Sequence, residues 1–532
     1  MFRRRMLVIG LDGFDIGFAE QLMAEGALPN IARLRLCSAC FDLDHGLDKY
    51  SGLAWEHVST GLSPSDGGRW SALSFDPATY AVLQEPTSAR PFLAELSART
   101  VVFDVPYCDL TQAQRVLGLT HWGSHDPGVS PVSRPAELRG ELDRRFGPYP
   151  ATEWIYGHCW PSAEKARAAG AALTAAVELR SKAARWLLTE RLPSWELALI
   201  VVSESHSAIE PLWHGVDPLH PLHRIKSSAA AGEALRGVYR AIDGLVGDLR
   251  AAFPDATLAL FAMHGMGANE SDLPAMVLLP ELLYRAAFGK SYMRSLPYGG
   301  ATAEGVPLLG EDDTWEDTML GAVPKASRPS IAEVGLSAWL SSFKEGQPRW
   351  LARSGVEWMP AARYCQFWPR MRAFALPSYY DGRVRINLQG RESRGVVPRH
   401  EYDKTCAQIA DLIGGCRNLL TGQIAVADIH RPKADPQAVG PSEADMYIIW
   451  SSAPVGLSTP AFGKIGPVPY RRTGGHSGRR GFLYLAGDRI ASGALGGISS
   501  FDVVPTLIEL LGERRPSRMS GISAAPRILV PA

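Results

Sequence analysis

The sequence predicts an α/β protein: a doubly wound, mainly parallel sheet with helices on both faces and an inserted cap region. Three observations predict it. Short, wholly apolar runs recur along the chain, long Ala-, Leu-, Glu- and Arg-rich stretches separate them, and one central segment breaks both patterns. A short apolar run bounded by polar signals reads as a strand covered on both faces. Such strands alternating with helices make βαβ units, whose sheet is parallel.

Met6–Leu11 is the first such run, and Thr100–Phe103, Leu197–Val202, Thr257–Ala262, Met446–Trp450 and Phe482–Ala486 are further ones. Ser162–Arg191 and Ser227–Phe253 read as helices, the second with apolar positions about 3.6 residues apart. The stretch 271–400 is rich in Trp, Pro and Tyr and has little periodicity, so it reads as the cap or substrate region. Residues 1–270 then form the first part of the core, and 401–532 complete it.

Composition narrows the function classes. Among 532 residues, 55 Lys plus Arg balance 55 Asp plus Glu, so no net field draws the chain to a nucleic acid polymer or an acidic membrane. An anionic substrate must be attracted locally. The apolar run behind the N-terminal arginines ends at Asp12, short of the ~7–15 residues of a signal-peptide core. No stretch approaches the ~20 apolar residues of a membrane span. Seven scattered cysteines do not make a disulfide framework, and the expectation is a cytoplasmic protein, with a homo-oligomer compatible. Cys37 and Cys40 form a lone C-x-x-C and read as a buried structural pair.

In open α/β sheets functional residues gather beyond the carboxyl ends of the strands. That rule selects Asp12, the stretch Glu204 to Glu210, and Met263-His264. His206 and Glu210 are four apart, so one helical turn would aim both at a shared metal. Ser51 opens Ser51-Gly-Leu-Ala-Trp-Glu-His-Val-Ser-Thr-Gly61, read as a short helix with Ser51 at its N-terminus, where it is either a plain cap or part of a phosphate cradle. His476 lies in the glycine-rich Thr473-Gly-Gly-His-Ser-Gly478.

Taken in order, these segments resemble the type I phosphodiesterase/nucleotide pyrophosphatase branch of the alkaline phosphatase superfamily. Val8-Ile-Gly-Leu-Asp-Gly13 and Leu28-Pro-Asn-Ile-Ala-Arg-Leu34 resemble its opening, with its first metal-binding aspartate at Asp12. Ser51, ahead of Thr60-Gly61 in a segment that Trp55 and Pro64 also fit, stands at the place of its Thr/Ser nucleophile. His264-Gly-Met266 is similar to its Asp-His-Gly-Met, and His476 to its late histidine. Phe501-Asp-Val-Val-Pro-Thr506 resembles its terminal helix, and Arg385-Ile-Asn-Leu-Gln-Gly-Arg391 an element of bacterial members. The resemblance implies an alkaline-phosphatase-like fold. It also implies divalent metal, one or two ions, zinc first and manganese second, held by Asp12, Ser51 and His264 at one site and by His206, Glu210 and His476 at the other.

The departures bear on the metal count. Met263 stands where the resemblance has a carboxylate, and a thioether suits soft ions rather than those of phosphoryl chemistry. A His₂Glu set, by contrast, is well suited to catalytic zinc. A sulfatase is not expected, because Ser51-Gly-Leu-Ala-Trp55 lacks the proline and arginine of that motif. The expected function is a metal-dependent phosphoesterase with Ser51 as nucleophile on a small phosphate ester, or a transferase if an acceptor alcohol replaces water. The alternative is a non-catalytic member that keeps the fold for binding or assembly. Arg391 is a candidate phosphate clamp, with a structural ion pair as its other reading. Trp315, Trp339, Trp350, Trp358 and Trp368 are candidates to stack on a base or sugar, with a core role as the commoner alternative.

Overall fold

The computed structural model describes residues 5–157, 162–310, 313–324, 356–478 and 480–530. The chain forms two compact units: Met1–Trp70, Pro86–Ala268 and Thr473–Ala532 make the first, Ser71–Glu85 and Asn269–Arg472 the second. The boundary at 400 expected from composition thus falls inside the second unit.

A nine-stranded sheet forms the centre of the first unit. Its strands are β1 (Met6–Leu11), β2 (Ala39–Asp44), β3 (Thr100–Phe103), β4 (Leu117–Leu119), β5 (Ser133–Arg134), β6 (Leu197–Val202), β7 (Thr257–Ala262), β8 (Gly481–Ala486) and β9 (Gly493–Ser499). Their order is β9-β2-β8-β7-β1-β6-β3-β4-β5. β1 pairs in parallel with β6 and β7, and β3 with β6 and β4. β8 runs antiparallel between β2 and β7, and β5 closes the far edge antiparallel to β4. The direction of β8 was not legible, because a continuous apolar run reports burial on both faces and says nothing of strand sense.

Helices cover both faces. Leu7, Ile9 and Leu11 of β1 and Ala198, Ile200 and Val202 of β6 join one cluster with the buried stripes of α1 (Ala163–Trp186) and α3 (Ser228–Ala252). The alternate residues Val8, Leu197 and Leu199 meet Leu507, Ile508 and Leu511 of the helix Val503–Leu511 on the other face. In α3 the stripe runs Leu235, Val238, Ile242, Leu245, Val246, Leu249, the three-and-four spacing of one helix face. Among the described residues no helix is long and apolar enough to cross a membrane.

The second unit has its own four-stranded antiparallel sheet, ordered Ala373–Leu376, Gly382–Ile386, Met446–Trp450, Val426–His430. Met446–Trp450 is therefore a strand, as its apolar run indicates, but it belongs to this sheet and runs antiparallel. Trp315 and Trp368 are fully buried here, the first donating to the Pro469 carbonyl and the second stacked on Phe374. Trp358 lies against the Arg471 guanidinium at 4.5 Å. Trp315 and Trp368 are packing residues and Trp358 is half-buried, whereas Trp339 and Trp350 lie outside the described residues.

Candidate active site

The carboxyl ends of β1, β4, β6 and β7 supply the site, and β8, being antiparallel, brings the loop before it to the same edge. Asp12 follows β1 directly. The turn after β6 opens α2 (Glu204–Leu212), whose helical register puts His206 Nε2 3.4 Å from Glu210 Oε1. Gly13 is obligatory beside them: it has φ +60, and a Cβ there would lie 2.7 Å from the His206 Cβ. Gly474 plays the same part for the His476 loop, since a Cβ there would meet the Ile209 carbonyl oxygen at 2.4 Å.

The structure adds a residue that the sequence pattern did not select. His125, His206 and Glu210 bring one ligand atom each within 4.8 Å of one another, all buried. His125 Nε2 is 3.8 Å from Glu210 Oε1, and its ring stacks on His206 with centroids 3.9 Å apart. His476 joins them, with its Nε2 3.3 Å from His206 Nε2.

The outer nitrogens explain where the inner ones point. His125 Nδ1 donates to the Ile155 carbonyl at 2.6 Å, and His206 Nδ1 donates to Asp12 Oδ2 at 3.1 Å. His264 Nδ1 faces the Gly265 carbonyl at 3.0 Å; a carbonyl only accepts, so that nitrogen carries the hydrogen and His264 Nε2 accepts. His476 Nδ1, 3.3 Å from His264 Nε2, is then the donor of that pair. His125 and His206 therefore spend Nδ1 on an outer acceptor and turn Nε2 toward Glu210, while His476 spends Nδ1 on His264 and turns Nε2 toward His206. Ligand atoms about 2.0–2.1 Å from a tetrahedral zinc lie about 3.3 Å apart. The observed 3.3 and 3.4 Å match that spacing, and 3.8 Å is close to it. His125, His206 and Glu210 could together hold a metal ion.

Asp12 and His264, which the resemblance implies as metal ligands, each contact a histidine of this cluster. Both engage the outer nitrogen of a ligand-type histidine, which fixes its tautomer and orientation. Asp12 is also hydrogen-bonded by the Trp55 side chain. Burial works to raise its carboxyl, but the charge and hydrogen bond of His206 outweigh burial and hold it below the ordinary range. Burial likewise works against a charged His206, yet Asp12 and Glu210 raise it to about 10. Burial lowers His264 to about 4 and, with neighbouring imidazoles, takes His476 well below the usual value.

A buried ion cluster locks the segments that carry the ligands. Arg180 of α1, fully buried, pairs with Asp104 at 3.1 Å and with Glu204 at 2.8 Å. Asp104, held at φ +60 just past β3, accepts the backbone N–H groups of Trp122 and Gly123 at 2.7 and 2.8 Å. One arginine therefore ties the loop bearing His125 to the first turn of α2.

Ser51 is the last residue of a 3₁₀ turn, Gly46–Ser51, not the cap of the following helix. Its Oγ accepts the Leu53 N–H at 3.1 Å, while Gly52 in the left-handed region separates it from the helix Ala54–Thr60. Gly61 ends that helix, also left-handed, as the sequence indicates. Arg391 lies in the second unit and its donors are spent there: on Asp445 at 2.8 and 2.7 Å, on Glu392 at 2.8 Å, and on the carbonyls of Pro436 and Ile386. It is a structural arginine. Cys37 is exposed and Cys40 half-buried, each directing its thiol to a backbone carbonyl, so they are not the buried pair expected.

A family model for type I phosphodiesterase/nucleotide pyrophosphatase matches residues 6–307, more than half of the chain. The chain belongs to that family. The match takes in Asp12, Ser51, His125, His206, Glu210 and His264, while His476 lies beyond it. A search of curated proteins found no match. Among solved structures, phosphonoacetate hydrolase from Sinorhizobium meliloti, in complex with phosphonoformate, is similar at 12% identity over 96% of each chain, with a TM-score of 0.49. Murine ectonucleotide pyrophosphatase/phosphodiesterase 5, an inactive variant in complex with AMP, is similar at 10% identity over 97% of each chain, with a TM-score of 0.48. The human form of the latter gives 9% identity over 98% of each chain and a TM-score of 0.49.

Proposed function

We propose that the chain is a metal-dependent phosphoesterase that holds one divalent ion, zinc before manganese, among His125, His206, Glu210 and His476. Ser51 is its nucleophile, and its substrate is a small phosphate ester. The observation that carries the proposal is the buried group of His125, His206 and Glu210, with ligand atoms within 4.8 Å of one another and His476 Nε2 3.3 Å from His206 Nε2, within a phosphodiesterase family chain.

When bound, the ion supplies Lewis-acid polarisation of a phosphoryl oxygen. The chain's own residues do the rest. Asp12 keeps His206 oriented through Nδ1, and His264 does the same for His476. Ser51 Oγ forms the new bond to phosphorus as the bond to the leaving alcohol breaks. The electron pair departs on the alcohol oxygen, which takes up the proton that Oγ gives up. Water then adds to phosphorus, the bond to Ser51 breaks, and Oγ recovers a proton. An acceptor alcohol in place of water makes the same steps a transfer.

The test is zinc-loaded protein assayed on bis(4-nitrophenyl) phosphate and 4-nitrophenyl phosphate, beside Ser51→Ala and the double variant His206→Ala/Glu210→Ala. Turnover should fall by about a thousandfold or more in Ser51→Ala with zinc retained, and zinc should be lost in the double variant. Activity surviving Ser51→Ala sinks the nucleophile assignment. Protein that takes up no metal under any condition makes the non-catalytic scaffold the better reading.

A further inference from the structure

The corner beside His264 and the His476 loop holds a fixed cation. Lys49, in the same 3₁₀ turn as Ser51, is buried, with 7% of its surface exposed. Its Nζ donates to the Gly478 carbonyl at 3.2 Å, which ties the ammonium to the loop carrying His476. Its charge is felt by His45, His264 and His476. The ligands that a second divalent ion would need in this corner are engaged otherwise. Asp12 is held by His206 and Trp55, and His264 uses one nitrogen on Gly265 and the other on His476. Met263 is buried beside His264 and offers only a thioether. Among the described residues, the one group of three or more such ligands is His125, His206 and Glu210.

A phosphoryl group gathers negative charge on its equatorial oxygens as it transfers, so a single ion on one side leaves the other side to be served. A buried ammonium on the nucleophile's own turn supplies that charge and, by like-charge repulsion, disfavours a second metal ion. We propose that Lys49 is the second cation of the phosphate site, pairing with a substrate phosphoryl oxygen on the Ser51 side where a second metal ion would otherwise sit. The proposal rests on the phosphoesterase reading above.

The experiment is titration calorimetry of inorganic phosphate into zinc-loaded protein, with metal analysis of the same samples, for wild type, Lys49→Met, Lys49→Gln and Lys49→Arg. One zinc per chain is expected throughout. Phosphate affinity should fall tenfold or more in Lys49→Met and recover mostly in Lys49→Arg. Lys49→Gln keeps a donor for the Gly478 carbonyl without the charge, so it should bind as weakly as Lys49→Met. That outcome separates charge from mere positioning of the loop. Wild-type affinity in Lys49→Gln, or two zinc ions per wild-type chain, overturns the role of Lys49 and leaves a zinc phosphoesterase standing. Wild-type protein that holds no zinc, or binds no phosphate when loaded, overturns the phosphoesterase reading and Lys49's role with it.

Discussion

Two buried charged clusters in this chain, each within its own unit, are built to opposite ends. Around Arg391, the guanidinium, Glu392, Asp445, Tyr402 and Arg385 satisfy one another and nearby carbonyls: Arg385 Nε reaches Glu392 at 2.7 Å and Tyr402 Oη reaches Asp445 at 2.7 Å. Every contact points into the cluster. Around His206 the pairing is one-sided, because Asp12, the Ile155 carbonyl and His264 engage the outer nitrogens, leaving the inner ones of His125 and His206 toward Glu210 and that of His476 toward His206. Burial and charge alone therefore do not mark a functional site. What distinguishes the second cluster is a group of ligand-type atoms, from His125, His206 and Glu210, within 4.8 Å of one another.

The contrast can be broken at either end. The largest effect is expected from His206→Ala/Glu210→Ala, which should abolish tight zinc binding while leaving the far-ultraviolet circular dichroism of the wild type; retained stoichiometric zinc would place the ion elsewhere. Arg391→Met should do the reverse. It removes the charge partner of Asp445 and one of two arginines on Glu392 and should cost about 3–5 kcal/mol of stability, read from denaturant unfolding, with zinc affinity unchanged. Asp12→Asn sharpens the distinction between a ligand and the group that orients one: zinc should remain at one per chain but bind about 10–100-fold more weakly. Complete loss of zinc in that variant would make Asp12 a direct ligand.

The smallest effect is one of pH. In metal-free protein His206 is raised to about 10, so it is protonated at neutral pH, and an ion must displace that proton to reach Nε2. Zinc affinity should accordingly rise with pH, by about tenfold per unit between roughly pH 6 and 9, and calorimetry in buffers of different ionisation enthalpy should register one proton released per zinc. A flat profile would mean that His206 is neutral before the ion arrives.

Much of this was legible in the sequence, for reasons that also explain the rest. The first strand, both long helices and the His206/Glu210 pair are periodic or contiguous features, and each lies where its spacing places it. His125 was not legible. It follows a strand of only three residues, Leu117–Leu119, and is held by a loop that the Asp104 carboxylate staples through backbone N–H groups, an arrangement with no period. The rule of strand ends would have found it had β4 been recognised. β2 and β9 escaped for related reasons: β2 alternates buried and exposed residues, and β9 is glycine-rich. The parts of Asp12 and His264 depend on which ring nitrogen faces which neighbour, and motif order does not encode that.

X-ray absorption at the zinc edge of the loaded wild-type protein tests the central claim most directly. One ion coordinated by three imidazoles and one carboxylate oxygen at about 2.0–2.2 Å, with no sulfur in the first shell, is the predicted result. A zinc–zinc vector at about 3.5–4 Å, or a first shell with fewer than two imidazoles, would contradict it.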